Sequence, residues 1–166
     1  MSKVELIRVD FRMIHGQVIV KWLKRTGANK ILAINDEIAF DPFLADIYRM
    51  SAPVGVEIET MTKDDAIAKL KALDSGNEKI LILLKNVEDA YYCFKNGMPM
   101  PHLQIGGLGA GPNRINVFGA IALDNKDAKT LKEMSDAGVD VYFHLVPDES
   151  KASLDKILSK YNFALS

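Results

Sequence analysis

The chain has one cysteine, three histidines, one tryptophan and no surplus of either charge, and each scarcity removes a class of function. Cys93 alone cannot close an internal disulfide. It stands in "DAYYCFKNG" without a CxxC spacing or a nearby histidine, so neither a disulfide scaffold nor a cysteine-ligated metal is expected. A small buried thiol is the ordinary reading. Lysine and arginine total 21 against 22 aspartate and glutamate, which leaves no electrostatic footprint for nucleic acid or anionic lipid. Any anion site must be local. The longest purely apolar run, Ile80 to Leu84, falls far short of the roughly 20 residues that cross a bilayer. The N-terminus lacks a basic region followed by an apolar signal core, so a soluble cytoplasmic protein is expected. HExxH and Walker patterns are missing as well, and no metal or cofactor is expected.

What is present is a steady alternation of short apolar runs with amphipathic segments, over a length of 166 residues that suits one domain, 1–166. "KVELIRV", "NKILAIND", "VGVEIET", "KILILLK", "HLQIGG", "INVFGAIAL" and "VDVYFHLV" read as strands. The first helix carries Val18, Ile19, Trp22 and Leu23 at helical spacing, has Lys24 and Arg25 in its last turn, and stops at Gly27. Asp41–Pro42, Thr62 and Asn86 open further helices as caps. Another runs through "KDAKTLKEMSDAG", and a terminal one from about Glu149 to Tyr161. Strands separated by helix-length crossovers imply a three-layer α/β domain with a mainly parallel central sheet of about seven strands and helices on both faces. The strands near 102–107 and 115–123 have no helix between them, so one edge strand is a candidate for antiparallel pairing.

Such sheets bind ligands beyond the carboxyl ends of their strands. On that rim lie Asp10 to Gly16, Asn35 to Phe40, Lys85 and Asn86, a glycine-rich stretch after the fifth strand, and Pro147 to Glu149. His15 sits where the first strand turns into a helix. A neutral imidazole has one free lone pair and serves as nucleophile or base, provided its other nitrogen is held. Asp10 is a candidate to orient it, and Arg12 supplies a forked positive charge suited to phosphate oxygens. Arg8 offers a second charge, or a structural ion pair inside the strand. Gly16 lets a backbone approach an anion closely, and the amides of Gln17 and Val18 point out of the helix N-terminus. Together these residues describe an anion cradle around a nucleophile. A flavodoxin-like module that binds a small anion or nucleotide without covalent chemistry would use the same parts.

The stretch Arg8-Val9-Asp10-Phe11-Arg12-Met13-Ile14-His15-Gly16-Gln17-Val18 resembles the active-site signature R-x-D-x-R-[LM]-I-H-G-Q-V. That signature belongs to IIB components of the mannose/fructose/sorbose class of the bacterial phosphoenolpyruvate-dependent sugar phosphotransferase system. The likeness continues through "INDEIAFDP", "IGG" and "GVDVYFHLVP", essentially the whole chain. It implies that His15 accepts a phosphoryl group on Nδ1 from a phosphohistidine of a IIA component. The group then passes to a sugar held by the membrane IIC and IID components, with the protein cytoplasmic and peripherally associated with that complex. Asp10 and Arg12 become the catalytic loop partners of His15. Gly16 and Gln17 frame the phosphate, and Arg8, Asn35 and Asp36 are further candidates around it.

The chain departs from the family pattern after the fifth strand. Where many members carry N-[IV]-G-[GN]-M, it has "QIGGLGAGPNRINVF", so Gln104 and Leu108 differ. The Rossmann spacing fails there, because Pro112 stands where a third glycine is needed. A structural turn is expected, with Arg114 as a candidate outer contact to phosphate. His102 is expected on the rim opposite His15, and His144 in a hydrogen-bonded structural role. Trp22, Tyr91, Tyr92 and Phe94 read as core or interface.

Overall fold

The strands form where β-branched and leucine-rich runs are buried on both faces, as parallel sheets require. The computed structural model describes residues 1–165. Its elements run β1 (Lys3–Asp10), α1 (Gly16–Thr26), β2 (Lys30–Ile34), α2 (Asp36–Ala39), α3 (Pro42–Met50), β3 (Glu57–Met61), α4 (Lys63–Lys71) and β4 (Lys79–Leu84). There follow α5 (Val87–Lys95), β5 (His102–Gly107), β6 (Ile115–Phe118), β7 (Ile121–Leu123), α6 (Asn125–Asp136), β8 (Asp140–Phe143), β9 (Ala152–Ser153) and α7 (Leu154–Lys160). The main sheet has the order β3-β2-β4-β1-β5-β8-β9, all parallel except the β8–β9 pair. Strand β1 is therefore central, and the loop leaving its carboxyl end is flanked by β4 and β5.

Two apolar layers enclose the sheet. On one face α1 contributes Ile19, Trp22 and Leu23, and α2 contributes Ile38, against Leu6, Ile31, Leu81 and Leu83. On the other, α4 to α7 pack Ile67, Cys93, Leu131 and Ile157 against Ile7, Val9, Ile82 and Leu103. The apolar stretch of β4, Ile80 to Leu84, is wholly buried. Each such side chain contributes roughly 1.5–3 kcal/mol of transfer free energy. The expected caps are in place: Asp41 accepts from the amides of Phe43 and Leu44, Thr62 from Asp65, and Asn86 from Asp89. Gly27 ends α1 with φ at +72°.

Three elements differ from the sequence reading. "INVFGAIAL" is not one strand but the hairpin β6–β7, a separate two-stranded sheet that turns at Gly119, whose φ is +52°. The apolar residues on both sides of Gly119 concealed that turn. The antiparallel edge exists, but it is β9, formed by residues assigned in the sequence to the terminal helix. That helix starts only at Leu154, where Ser153 caps it by accepting the Lys156 amide. The short helix α2, with Asn35 as its cap, was not expected.

Candidate active site

Asp10 is the last residue of β1, and it builds the loop that follows. Its backbone carbonyl accepts the Met13 amide at 2.9 Å, closing a turn, while its Oδ1 accepts the Arg12 amide at 3.1 Å and Arg12 Nε at 3.0 Å. Short acidic side chains bind their own backbone two residues on in this way, which explains the aspartate at this position. Oδ2 receives three donors: His15 Nε2 at 2.9 Å, and Arg8 and Arg12 NH2 groups at 3.2 Å each. Met13 takes a left-handed φ of +59°, which costs a non-glycine residue about 1–2 kcal/mol. Its side chain, 2% exposed, is anchored in the α1–α2 core.

Asp10 is fully buried, and burial alone would push its carboxyl up. Hydrogen bonds from Arg12 and His15, together with the Arg8 charge, outweigh that and hold it below the usual carboxylate range. The carboxylate is therefore ionised at neutral pH and can only accept. A neutral His15 ring in this contact then carries its proton on Nε2 and its lone pair on Nδ1. This is the tautomer a nucleophilic Nδ1 requires.

His15 is itself the N-cap residue of α1, with extended backbone and no side-chain cap bond. The first turn of α1 carries no acidic residue, so its free amides are uncompensated. Gly16 begins the helix at φ +40°, and a Cβ there would meet open space. The glycine thus answers a backbone need as well as leaving the approach clear. Gln17 is exposed beside it. Arg12, with its side chain 36% exposed, is fixed by two bonds to Asp10 and lies 5.4 Å from the Phe11 ring.

Arg8 proves not to be a surface cation. It is 1% exposed beneath Asp10, where NH1 donates to Gln104 Oε1 at 2.6 Å and to the His144 carbonyl at 2.8 Å. NH2 donates to Asp10 and, at 3.1 Å, to the Leu145 carbonyl. It supports Asp10 from below, as the ion-pair alternative had it. Asn35 and Asp36 are likewise committed elsewhere. Asn35 Oδ1 caps α2 through the Ile38 amide, and Asp36 accepts the Lys63 amide. Strand β4 separates β2 from β1, which puts these residues roughly 10 Å from the β1 terminus. Arg114 is committed as well. It clamps the hairpin through the carbonyls of Gly109 and Ala122 and through Asp124 and Asp127.

Two glycines missed in the sequence turn out to shape the site. A Cβ on Gly106 would lie 1.9 Å from the Arg8 Cζ, and one on Gly107 would lie 2.7 Å from Asp10 Oδ1 and 2.9 Å from an Arg12 nitrogen. Both give up their side chains to make room for the charged cluster. The other histidines are structural. His102 Nε2 accepts the Ile7 amide at 3.0 Å at the far end of the sheet. The His144 ring bonds the Glu149 carbonyl at 2.8 Å and stacks edge-on with Trp22.

Comparison with known proteins agrees with this architecture. Residues 4–166 match the family described as the PTS system sorbose subfamily IIB component. The chain is 30% identical over 159 residues to the N-acetylgalactosamine-specific phosphotransferase enzyme IIB component 2 of Escherichia coli K12, covering 95% of this chain and 100% of that protein. It is 30% identical over 156 residues to the sorbose-specific EIIB component of Klebsiella pneumoniae, covering 93% and 95%. Among solved structures, manxB of Thermoanaerobacter tengcongensis superimposes with a TM-score of 0.90 at 35% identity, covering 97% of this chain and 98% of that one. The IIBSor domain of the Klebsiella pneumoniae sorbose permease gives 0.87 at 25% identity, covering 98% and 99%.

Proposed function

Because the chain belongs to the sorbose subfamily of IIB components of the sugar phosphotransferase system, we propose that His15 is its phosphoryl carrier. Nδ1 attacks the phosphorus of a phosphohistidine on a IIA component. The N–P bond of the donor breaks as the new N–P bond forms, and the donor imidazole leaves with the electron pair. In the second half-reaction a sugar hydroxyl takes the group, its proton passes to solvent or a base, and His15 recovers its lone pair. The sugar is held by the IIC and IID membrane components, which the protein joins peripherally from the cytoplasm.

The observation that carries the reading is the 2.9 Å contact between His15 Nε2 and a buried, ionised Asp10, which leaves Nδ1 as the nucleophilic nitrogen. Phosphorylation at Nδ1 makes the ring more positive, and the Asp10 carboxylate offsets that charge. Phosphoryl transfer depends mainly on positioning and charge stabilisation. Arg12, fixed beside His15, meets the equatorial oxygens, and Gly16 and Gln17 contribute backbone at the helix start. An exposed helix terminus adds only about 0.3–1 kcal/mol, so the arginine has the larger part. A IIA donor is supported by the mannose-specific EIIAB component of Escherichia coli K12, 26% identical over 157 residues, of which this chain spans 49%. Its name joins A and B components in one protein.

The test is phosphorylation of the purified protein by phosphoenolpyruvate, the general phosphocarrier proteins and a matching IIA, with His15→Ala in parallel. An acid-labile, alkali-stable phosphate on the wild type alone is the expected result. Full labelling of His15→Ala, or no adduct with an active donor, would overturn the assignment. The latter result would favour reversible anion binding instead.

A further inference from the structure

Asp10 Oδ2 is contested. It accepts His15 Nε2 at 2.9 Å, but two guanidinium groups also reach it at 3.2 Å. A guanidinium free to move would close on a carboxylate with two parallel bonds, the geometry that Arg and Asp prefer. Arg12 already uses both oxygens. Arg8 does not: only its NH2 touches Asp10, at the longer distance, while its NH1 is turned the other way.

What turns NH1 away is Gln104, wholly buried on β5, whose Oε1 accepts it at 2.6 Å, the shortest hydrogen bond in the cluster. The two carbonyls of residues 144 and 145 assist, but Gln104 is the side chain that competes with Asp10 for this guanidinium. Its own amide nitrogen faces the Tyr142 hydroxyl at 3.5 Å on β8, which orients the amide with oxygen toward Arg8. The Gly106 backbone, on which a Cβ would fall 1.9 Å from the Arg8 Cζ, and the Trp22 ring, 5.6 Å from Cζ, bound the slot on its other sides.

We infer that Gln104 is a positioning residue for the phosphoryl-accepting histidine: by holding Arg8 back, it reserves the Asp10 Oδ2 lone pair for His15 Nε2 and so fixes the tautomer with Nδ1 free. The inference rests on the reading of His15 given above. Loss of the Gln104 acceptor lets Arg8 swing onto Asp10, weakens the His15 contact and releases the ring to sample the other tautomer.

The experiment follows the tautomer directly, by nitrogen NMR of the labelled His15 imidazole in the unphosphorylated protein, alongside the rate of phosphoryl acceptance from IIA. Gln104→Met keeps the bulk and removes the acceptor; Gln104→Glu keeps an acceptor oxygen for Arg8. The expected result is a reduced Nε2–H population in Gln104→Met, with acceptance slowed on the order of 10-fold at an unchanged KM for the donor. In Gln104→Glu the tautomer and most of the rate are retained. Gln104→Ser, too short to reach Arg8, gives the same reading should the methionine variant fail to fold. A wild-type tautomer in folded Gln104→Met or Gln104→Ser overturns the inference, and so does equal loss in Gln104→Glu. If the tautomer responds as expected while the wild type never takes up phosphate, the positioning stands and the carrier assignment falls.

Discussion

At the scale of single residues, glycine does two different jobs in this site. Gly106 is required by space, because a methyl group there would sit on the Arg8 guanidinium, which is boxed in by Gln104, two carbonyls and Asp10. Gly16 is required by backbone, having φ +40° and nothing near its absent Cβ. Gly106→Ala must expel a buried charge from its partners, which costs roughly 3–5 kcal/mol. Gly16→Ala meets only the left-handed penalty of about 1–2 kcal/mol. Denaturant midpoints of the two variants should separate accordingly, and equal losses would show that the Arg8 slot is compliant. The same contrast marks what was legible in the sequence. Asp10, Arg12 and His15 fall within one turn, so their chemistry could be read from local spacing. Gln104 and the Leu145 carbonyl lie 96 and 137 residues from Arg8, and they meet it only because β1, β5 and β8 are neighbours. Strand order is not a local property, and for that reason local spacing left Arg8 open between a second charge for the phosphate and a structural ion pair.

At the scale of elements, the join between β1 and β5 depends on a side chain. The β1–β5 pairing begins at Arg8 and Gln104, and one residue earlier the Ile7 amide is taken by His102 Nε2 at 3.0 Å. That bond needs a neutral ring with a free lone pair. Burial pulls the His102 pKa down, against a smaller raising by Asp140, so the neutral form is the folded one. A group with a depressed folded pKa stabilises fully above its unfolded value. That contribution is lost as pH falls below about 6.5 and through the folded value. Asp10, also depressed, loses its contribution only in the more acidic carboxylate range. Urea midpoints should therefore decline as pH falls below about 6.5 in the wild type and more shallowly in His102→Gln. Parallel declines would mean that the ladder bond survives protonation. Elements also set the limits of sequence reading. The parallel strands and capped helices announced themselves through apolar runs and polar caps, whereas β9, two residues long, and the β6–β7 turn carried too little pattern to be told from their surroundings.

At the scale of the whole molecule, the loop of His15 leaves the central strand, so its geometry depends on the layers on both faces of the sheet. Each layer carries a reporter. Trp22 lies in the α1 layer, 4% exposed, with its indole N–H bonded to the Leu145 carbonyl at 3.0 Å. Cys93 lies in the opposite layer, fully buried, with burial pushing its thiol up to about 12. A thiol in that state is neither accessible nor ionised at neutral pH, so alkylation must wait for the layer to open. Strand β1 contributes Leu6 to the Trp22 layer and Ile7 and Val9 to the Cys93 layer, and β4 is likewise shared. Neither layer can lose its packing without exposing the strands that carry the other. The expected outcome is that Trp22 fluorescence changes, Cys93 opens to alkylation and the proposed phosphoryl acceptance on His15 is lost together along a urea gradient, with one midpoint, as a two-state domain requires. A Cys93 that reacts well before Trp22 responds would show that α4 to α7 detach from a sheet still held by α1. The domain would then be two cooperative units sharing one active loop.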